Sequence, residues 1–173
     1  MIIKVIGFVG KMYSGKTTGA KYLVEKHNYT RLRFADGLKR MLMDGLGVPE
    51  EYIDGDKKNE PCEELCGRTG RHGQITLGTE WGRELIHPDI WVRALARKMQ
   101  ELVNRGHSRF VIDDVRFLSE AKWLKSLSAP IDSRLIKVLR KDRKEVSEDQ
   151  HRSEAEQDNI IADATIYNDY TLQ

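Results

Sequence analysis

Apolar positions in this chain fall either in short unbroken runs or at helical spacing, and the two patterns alternate. Residues 2–9 are apolar except for Lys4, a run that predicts a central strand buried on both faces of a parallel sheet. Residues 18–27 place Ala20, Leu23 and Val24 on one side and Lys21, Glu25 and Lys26 elsewhere, the pattern of a helix that Asn28 would stop. Residues 29–35 alternate as a second strand, and a helix is expected over 37–46. Pro88 opens a helix running to Asn104, with an apolar stripe of Ile90, Trp91, Ala94, Leu95, Met99, Leu102 and Val103, and Gly106 ends it. Residues 109–116 form a third strand, Ala121, Leu124 and Leu127 mark a helix, and strands follow at 131–139 and 160–166. Strands alternating with helices imply an α/β fold built on a parallel sheet.

Two stretches break the alternation. Residues 45–71 scatter Gly45, Gly47, Pro49, Gly55, Pro61, Gly67 and Gly70 among charges, and read as a long loop of the kind that covers a substrate. Residues 140–152 are almost wholly charged, from Arg140 and Arg143 to His151 and Arg152. Two readings are open there: a solvated run, or a lid that closes on ATP and supplies arginines. The expected organisation is one domain over 1–173, with an insertion at about 37–87 and a lid at about 140–156.

Bulk properties narrow the class. A length of 173 residues suits one domain with a sizeable core, and 39% hydrophobic with 32% charged content describes a globular chain. A net charge of +2 indicates no general affinity for nucleic acid or membranes. Two cysteines and no leader-like start predict a cytoplasmic protein, in the host cytoplasm if the origin is viral. Cys62 and Cys66 have the spacing of half a zinc site with no second half, so free thiols are expected.

The candidate chemistry centres on Gly10-Lys11-Met12-Tyr13-Ser14-Gly15-Lys16-Thr17, a G-x-x-x-x-G-K-T loop between an apolar strand and a helix. Inward-pointing N–H groups of such a loop cradle phosphates, and Gly10 and Gly15 permit the turn and the close approach. The helix start adds its positive dipole end, Lys16 reaches the β and γ oxygens, and the Thr17 hydroxyl suits Mg²⁺. Asp113, after Phe110-Val111-Ile112, is the expected strand-end carboxylate for Mg²⁺, directly or through water. Arg116 follows where a phosphate would lie. Glu120, four residues on, either forms an exposed ion pair with Arg116, or orients it, or contacts substrate itself. Asp36 either caps the next helix or faces the phosphates as a candidate base. The chain lacks the N-K-x-D of guanine-selective proteins, and cations at Arg71, Arg83, Arg116, Arg140 and Arg143 fit the joining of two polyanions. Those features point to a nucleotide-type kinase.

Longer motifs carry a resemblance. Phe34-Ala35-Asp36-Gly37-Leu38-Lys39, G-T-E-W-G-R at 78–83, P-D-I-W-V at 88–92, V-I-D-D-V-R-F-L-S-E-A at 111–121, H-R-S-E at 151–154 and I-Y-N-D at 166–169 occur in one order along the chain. Together they resemble the deoxynucleoside monophosphate kinases of tailed bacteriophages. The resemblance implies a three-layer P-loop kinase fold with a substrate-binding insertion and a short lid. It also implies transfer of the ATP γ-phosphoryl, with Mg²⁺, to a deoxynucleoside 5′-monophosphate. Beside Ser14, an ATP-binding candidate from the loop itself, it assigns Lys16, Thr17 and Thr18 to the ATP and Mg²⁺ loop, and Phe34, Ala35 and Lys39 to the monophosphate pocket. It gives Arg71 to the grip on the monophosphate, with Arg68 the alternative register, and Arg116 and Glu120 to the transferred group. Trp91 matches a tryptophan beside the base, while its apolar neighbours equally suit core packing. Relatives are often dimers, and the 88–104 stripe is a candidate homodimer surface. The rival readings are a kinase of another small phosphate acceptor, of the dephospho-coenzyme A type, and a P-loop accessory protein that only binds ATP.

Overall fold

The computed structural model describes residues 2–140 and 156–169. Five parallel strands form one sheet in the order β2-β3-β1-β4-β5: β1 Ile3–Val9, β2 Thr30–Leu32, β3 Arg109–Val115, β4 Ile131–Leu139 and β5 Ala164–Tyr167. The apolar run at the start is the central strand, as its composition requires. Alternation along it sends Ile6 and Phe8 to one face, where α1 (Lys16–His27) packs Ala20 and Leu23 against Phe8, Val111 and Val138. On the opposite face lies α6 (Leu118–Ser126). Its Leu124 sits over Gly7, where an added Cβ would come within 2.6 Å of it. Helix, sheet and helix make three layers around the sheet's apolar residues.

Compact packing divides the chain into two units, 1–33 with 97–173, and 34–96. The sheet, α1 and α6 belong to the first. The second is helical. It holds α2 (Asp36–Arg40), which continues into a π-helix at Met41–Gly45, then α3 (Glu50–Ile53) and two 3₁₀ turns. After them comes α4 (Gly70–Ile75), continuing into a π-helix at Thr76–Ile86. The division falls inside α5 (Ile90–Asn104).

Several boundaries differ from those the sequence pattern suggests. Residues 45–71 are no open loop. Ile53 and Cys62 are fully buried, Gln74 Nε2 donates to the Ile53 carbonyl at 2.9 Å, and Pro61 bridges Thr69. A few apolar residues at irregular spacing suffice for this small core, and irregular spacing leaves no periodicity to read. The second strand is only Thr30–Leu32, the helix expected over 37–46 changes to π geometry at Met41, and Val24 is 38% exposed. The last strand starts at Ala164, because Asp163 ends the approach to it. Asp163 donates its N–H to Leu135 O and accepts the Leu135 N–H on Oδ2. In the α5 stripe Trp91, Leu95 and Met99 are each at most 5% exposed, while Ile90, Ala94, Leu102 and Val103 are half-buried. Both cysteines are free, and among the described residues no helix is long and apolar enough to cross a membrane.

Candidate active site

The loop between β1 and α1 adopts a phosphate-type path. Gly10 (φ 151°) and Gly15 (φ 107°) take left-handed conformations that favour glycine, and Tyr13 joins them at φ 63°. Gly10 is also fixed by space, since a Cβ there would lie 2.3 Å from the Val138 carbonyl oxygen of β4. Gly15 caps α1, which starts at Lys16 with no side-chain cap, so its first N–H groups have no oxygen supplied by a cap residue. Ser14 is 3% exposed and its Oγ is buried with no hydrogen-bond partner among the described residues. An orphaned buried hydroxyl costs about 1–3 kcal/mol and calls for a ligand oxygen. Lys16 folds over the loop and donates from Nζ to the Gly10 and Lys11 carbonyls, the latter at 2.7 Å. Thr17 and Thr18 are exposed on the first turn. A cleft lined by Gly10, Lys11, Ser14, Lys137, Arg140 and Asp158 opens beside the loop, so Arg140 is brought to it. Arg143 and most of the expected lid lie outside the described residues.

At the end of β3 the structure departs from simple expectation. Asp113 is 4% exposed and takes a bidentate pair from Arg31, Nε to Oδ1 at 2.9 Å and Nη2 to Oδ2 at 2.7 Å. Both carboxylate oxygens already accept charge-assisted bonds, which leaves little of the group for direct metal ligation. Glu120 is no exposed ion pair. At 1% exposure its Oε2 accepts the backbone N–H of Arg116 (2.8 Å) and of Phe117 (3.1 Å), capping α6 from its third position. The carboxylate therefore shapes the turn from which the exposed Arg116 projects.

The second unit holds the other predicted residues. Asp36 is the first residue of α2 with Ala35 at the cap position, so it is not an N-cap; its charge still favours the helix start. Phe34 is 2% exposed. Lys39 is 7% exposed and its Nζ is paired with the Asp54 carboxylate. Trp91 is a packing residue. It is 3% exposed, its Nε1 donates to Gly78 O at 2.8 Å, and Arg83 Nη1 shares that carbonyl at 2.9 Å. A Cβ on Gly82 would lie 2.8 Å from the indole. The G-T-E-W-G-R segment is thus shaped around Trp91. Arg71 is exposed in the first turn of α4, which Thr69 caps by accepting the His72 N–H. Sequence reasoning missed Arg31 as the partner of Asp113. No local signal marks the pair: the parallel register that sets Arg31 beside Val111 and Leu32 beside Ile112 is a property of the folded sheet.

No group of three acidic, histidine or cysteine side chains suited to a metal occurs among the described residues. Mg²⁺ in a phosphate-transfer site needs no such cage, since one or two protein oxygens, phosphates and waters suffice. The loop geometry, the Ser14 hydroxyl and Thr17 fit a Mg²⁺-bound polyphosphate.

A parallel sheet of this order, with a glycine-turned phosphate loop between its central strand and α1, defines a P-loop kinase fold. The chain belongs to the deoxynucleotide monophosphate kinase family, whose model matches residues 70–173. A protein of Acanthamoeba polyphaga mimivirus, provisionally named a deoxynucleotide monophosphate kinase, is 31% identical over 181 residues, covering 98% of this chain and 90% of the relative. TT1252 from Thermus thermophilus shares the fold at a TM-score of 0.54 and 18% identity, over 99% of this chain and 91% of its own. Dephospho-CoA kinase from Campylobacter jejuni covers 98% of this chain and 90% of its own at 18% identity, with a TM-score of 0.45. As a member of its family the protein is a kinase, a transferase that binds nucleotides.

Proposed function

We propose that the protein transfers the γ-phosphoryl group of ATP to a deoxynucleoside 5′-monophosphate, giving ADP and the diphosphate. The observation that carries the donor half is the buried Ser14 hydroxyl, without a partner among the described residues, inside a loop turned by Gly10 and Gly15. Family membership supports the acceptor half.

In this reading the N–H groups of the loop and of the first turn of α1 receive the β-phosphate. Lys16 exchanges its bonds to the Gly10 and Lys11 carbonyls for phosphate oxygens, and Arg140 and Arg143 add charge on the donor side. When bound, Mg²⁺ would neutralise part of the polyphosphate charge. Thr17 would hold it directly, and Asp113, whose oxygens serve Arg31, through water. Arg71 grips the acceptor phosphate. Phe34, Ala35 and Lys39 form the framework of the acceptor pocket, and Trp91 sets the shape of its wall from behind. An oxygen of the acceptor phosphate attacks the γ-phosphorus as the bond to the bridging oxygen breaks and ADP leaves. A phosphate oxygen is already nucleophilic, so Asp36 orients rather than deprotonates. Arg116 stabilises the charge of the moving phosphoryl, and Glu120 acts through the backbone that carries Arg116.

The test is ADP release with Mg-ATP and each of the four deoxynucleoside monophosphates in turn. ADP formation should depend on the monophosphate, and Lys16→Ala and Arg116→Ala should each lower turnover about 100-fold or more. ATP loss indifferent to every monophosphate would overturn the acceptor assignment. Near-wild-type rates in both variants would overturn those two roles.

A further inference from the structure

The end of β5 reaches the phosphate-type loop through Asn168, a residue outside the site described so far. Its backbone N–H donates to Leu139 O at 2.7 Å, continuing the β4–β5 pairing. Its side-chain Nδ2 donates to Ser14 O at 2.9 Å, joining positions 154 residues apart. A Cβ built on Gly15 would stand 2.5 Å from the same Nδ2. The carboxamide therefore lies against both halves of the Ser14–Gly15 peptide.

That peptide is a rigid planar unit in which C=O and N–H point in opposite directions. Holding the Ser14 carbonyl on Asn168 fixes the direction of the Gly15 N–H, away from β5. Glycine has many accessible backbone conformations, and Gly15 sits at φ 107° with no side chain to hold it there. The Ser14 hydroxyl bonds none of the described residues, so none of them restrains the peptide through it. The restraint on this carbonyl comes from the far end of the chain. It also gives a second reason for glycine at position 15: the space where a side chain would begin is taken by the amide of Asn168.

We infer that Asn168 is a positioning residue for the phosphoryl donor: its side-chain amide orients the Ser14–Gly15 peptide so that the Gly15 N–H is presented to ATP. The inference rests on the loop being the ATP site, as proposed above. A carboxamide suits the task because a carbonyl needs a donor. Aspartate would set oxygen against oxygen, and alanine would release the peptide. The backbone bond to Leu139 is independent of the side chain, so both variants keep β5 paired.

The experiment is calorimetric titration of Mg-ADP into the wild-type chain, Asn168→Ala and Asn168→Asp, with KM for both substrates and a melting curve for each. Loss of one orienting hydrogen bond should weaken Mg-ADP about tenfold in Asn168→Ala, and more in Asn168→Asp. The KM for the monophosphate should stay within about twofold, since the change falls on donor binding alone. Amide hydrogen exchange around Gly15 should quicken in Asn168→Ala. A wild-type chain that fails to bind Mg-ADP overturns the ATP reading itself. Wild-type binding with unchanged affinity in both variants overturns the role of Asn168 alone. Equal weakening of both substrates with a lowered melting temperature also overturns it, by making Asn168 a fold residue.

Discussion

Arg31 holds Asp113 by two parallel bonds, 2.9 and 2.7 Å, across the paired strands β2 and β3. The Asp113 side chain is 2% exposed and that of Arg31 32%. Removing one partner of a buried pair strands the other charge, a loss of about 3–5 kcal/mol in full burial. With Arg31 partly in solvent, Arg31→Ala should cost about 2–3 kcal/mol in urea unfolding, and Arg31→Lys less, because it keeps charge and loses the fork. Adding Asp113→Asn to Arg31→Ala should restore part of the loss. An unchanged urea midpoint for Arg31→Ala would remove the pair from the account.

Trp91 and Gly82 form a matched pair in the second unit. Gly82→Ala pushes a Cβ to 2.8 Å from the indole, and overpacking of this kind costs about 1–3 kcal/mol. Trp91→Phe relieves the crowding from the indole, leaving that from Leu77 O at 2.9 Å, and deletes the Nε1–H bond to Gly78 O, for about 1 kcal/mol. Combined, the two changes should cost less than their sum. Strict additivity in thermal unfolding would mean that the segment is not shaped around the tryptophan.

What was legible in the sequence follows from what each signal rests on. β1 was readable because a buried parallel strand is a continuous apolar run, and β4, with its apolar residues gathered in its second half, spans Ile131–Leu139 as expected. The phosphate loop was readable because glycine, lysine and threonine each do a separate job at fixed spacing. Residues 45–71 of the second unit were not, because Ile53 and Cys62 are buried with no periodicity around them. Long-range pairs were invisible too. Nothing local to Arg31 announces Asp113, and nothing local to Ser14 announces Asn168.

Glu120 offers a test of positioning against contact. Glu120→Gln keeps an oxygen to accept the Arg116 and Phe117 N–H groups, whereas Glu120→Ala orphans both. The alanine variant should lose about 1–2 kcal/mol of stability, in the range of a lost helix cap. Its kcat should fall with the displacement of Arg116, while glutamine retains most activity. Equal loss of kcat in both variants, with stability intact, would instead place the carboxylate on the substrate.

The cysteines should separate cleanly. Burial raises the Cys62 thiol above its ordinary range, with the bond its Sγ donates to Glu64 adding to the shift. Cys66 is exposed. A thiol reagent at neutral pH should therefore modify Cys66 rapidly and Cys62 only on unfolding. Because the folded form favours the protonated thiol, its contribution is complete below the unfolded thiol value. It is lost as pH rises through the raised folded value. Cys62→Ala should flatten that alkaline decline in urea midpoint, and an unchanged pH slope would count against it.

The central claim is that two nucleotides meet in a phosphoryl transfer, and following the phosphorus tests it most directly. The chain would be incubated with Mg-ATP labelled at the γ-phosphorus and each deoxynucleoside monophosphate, and the products separated. The account predicts label in a deoxynucleoside diphosphate, with unlabelled ADP formed in equal amount, and loss of both in Lys16→Ala. Label recovered only as inorganic phosphate, whichever monophosphate is present, would contradict it.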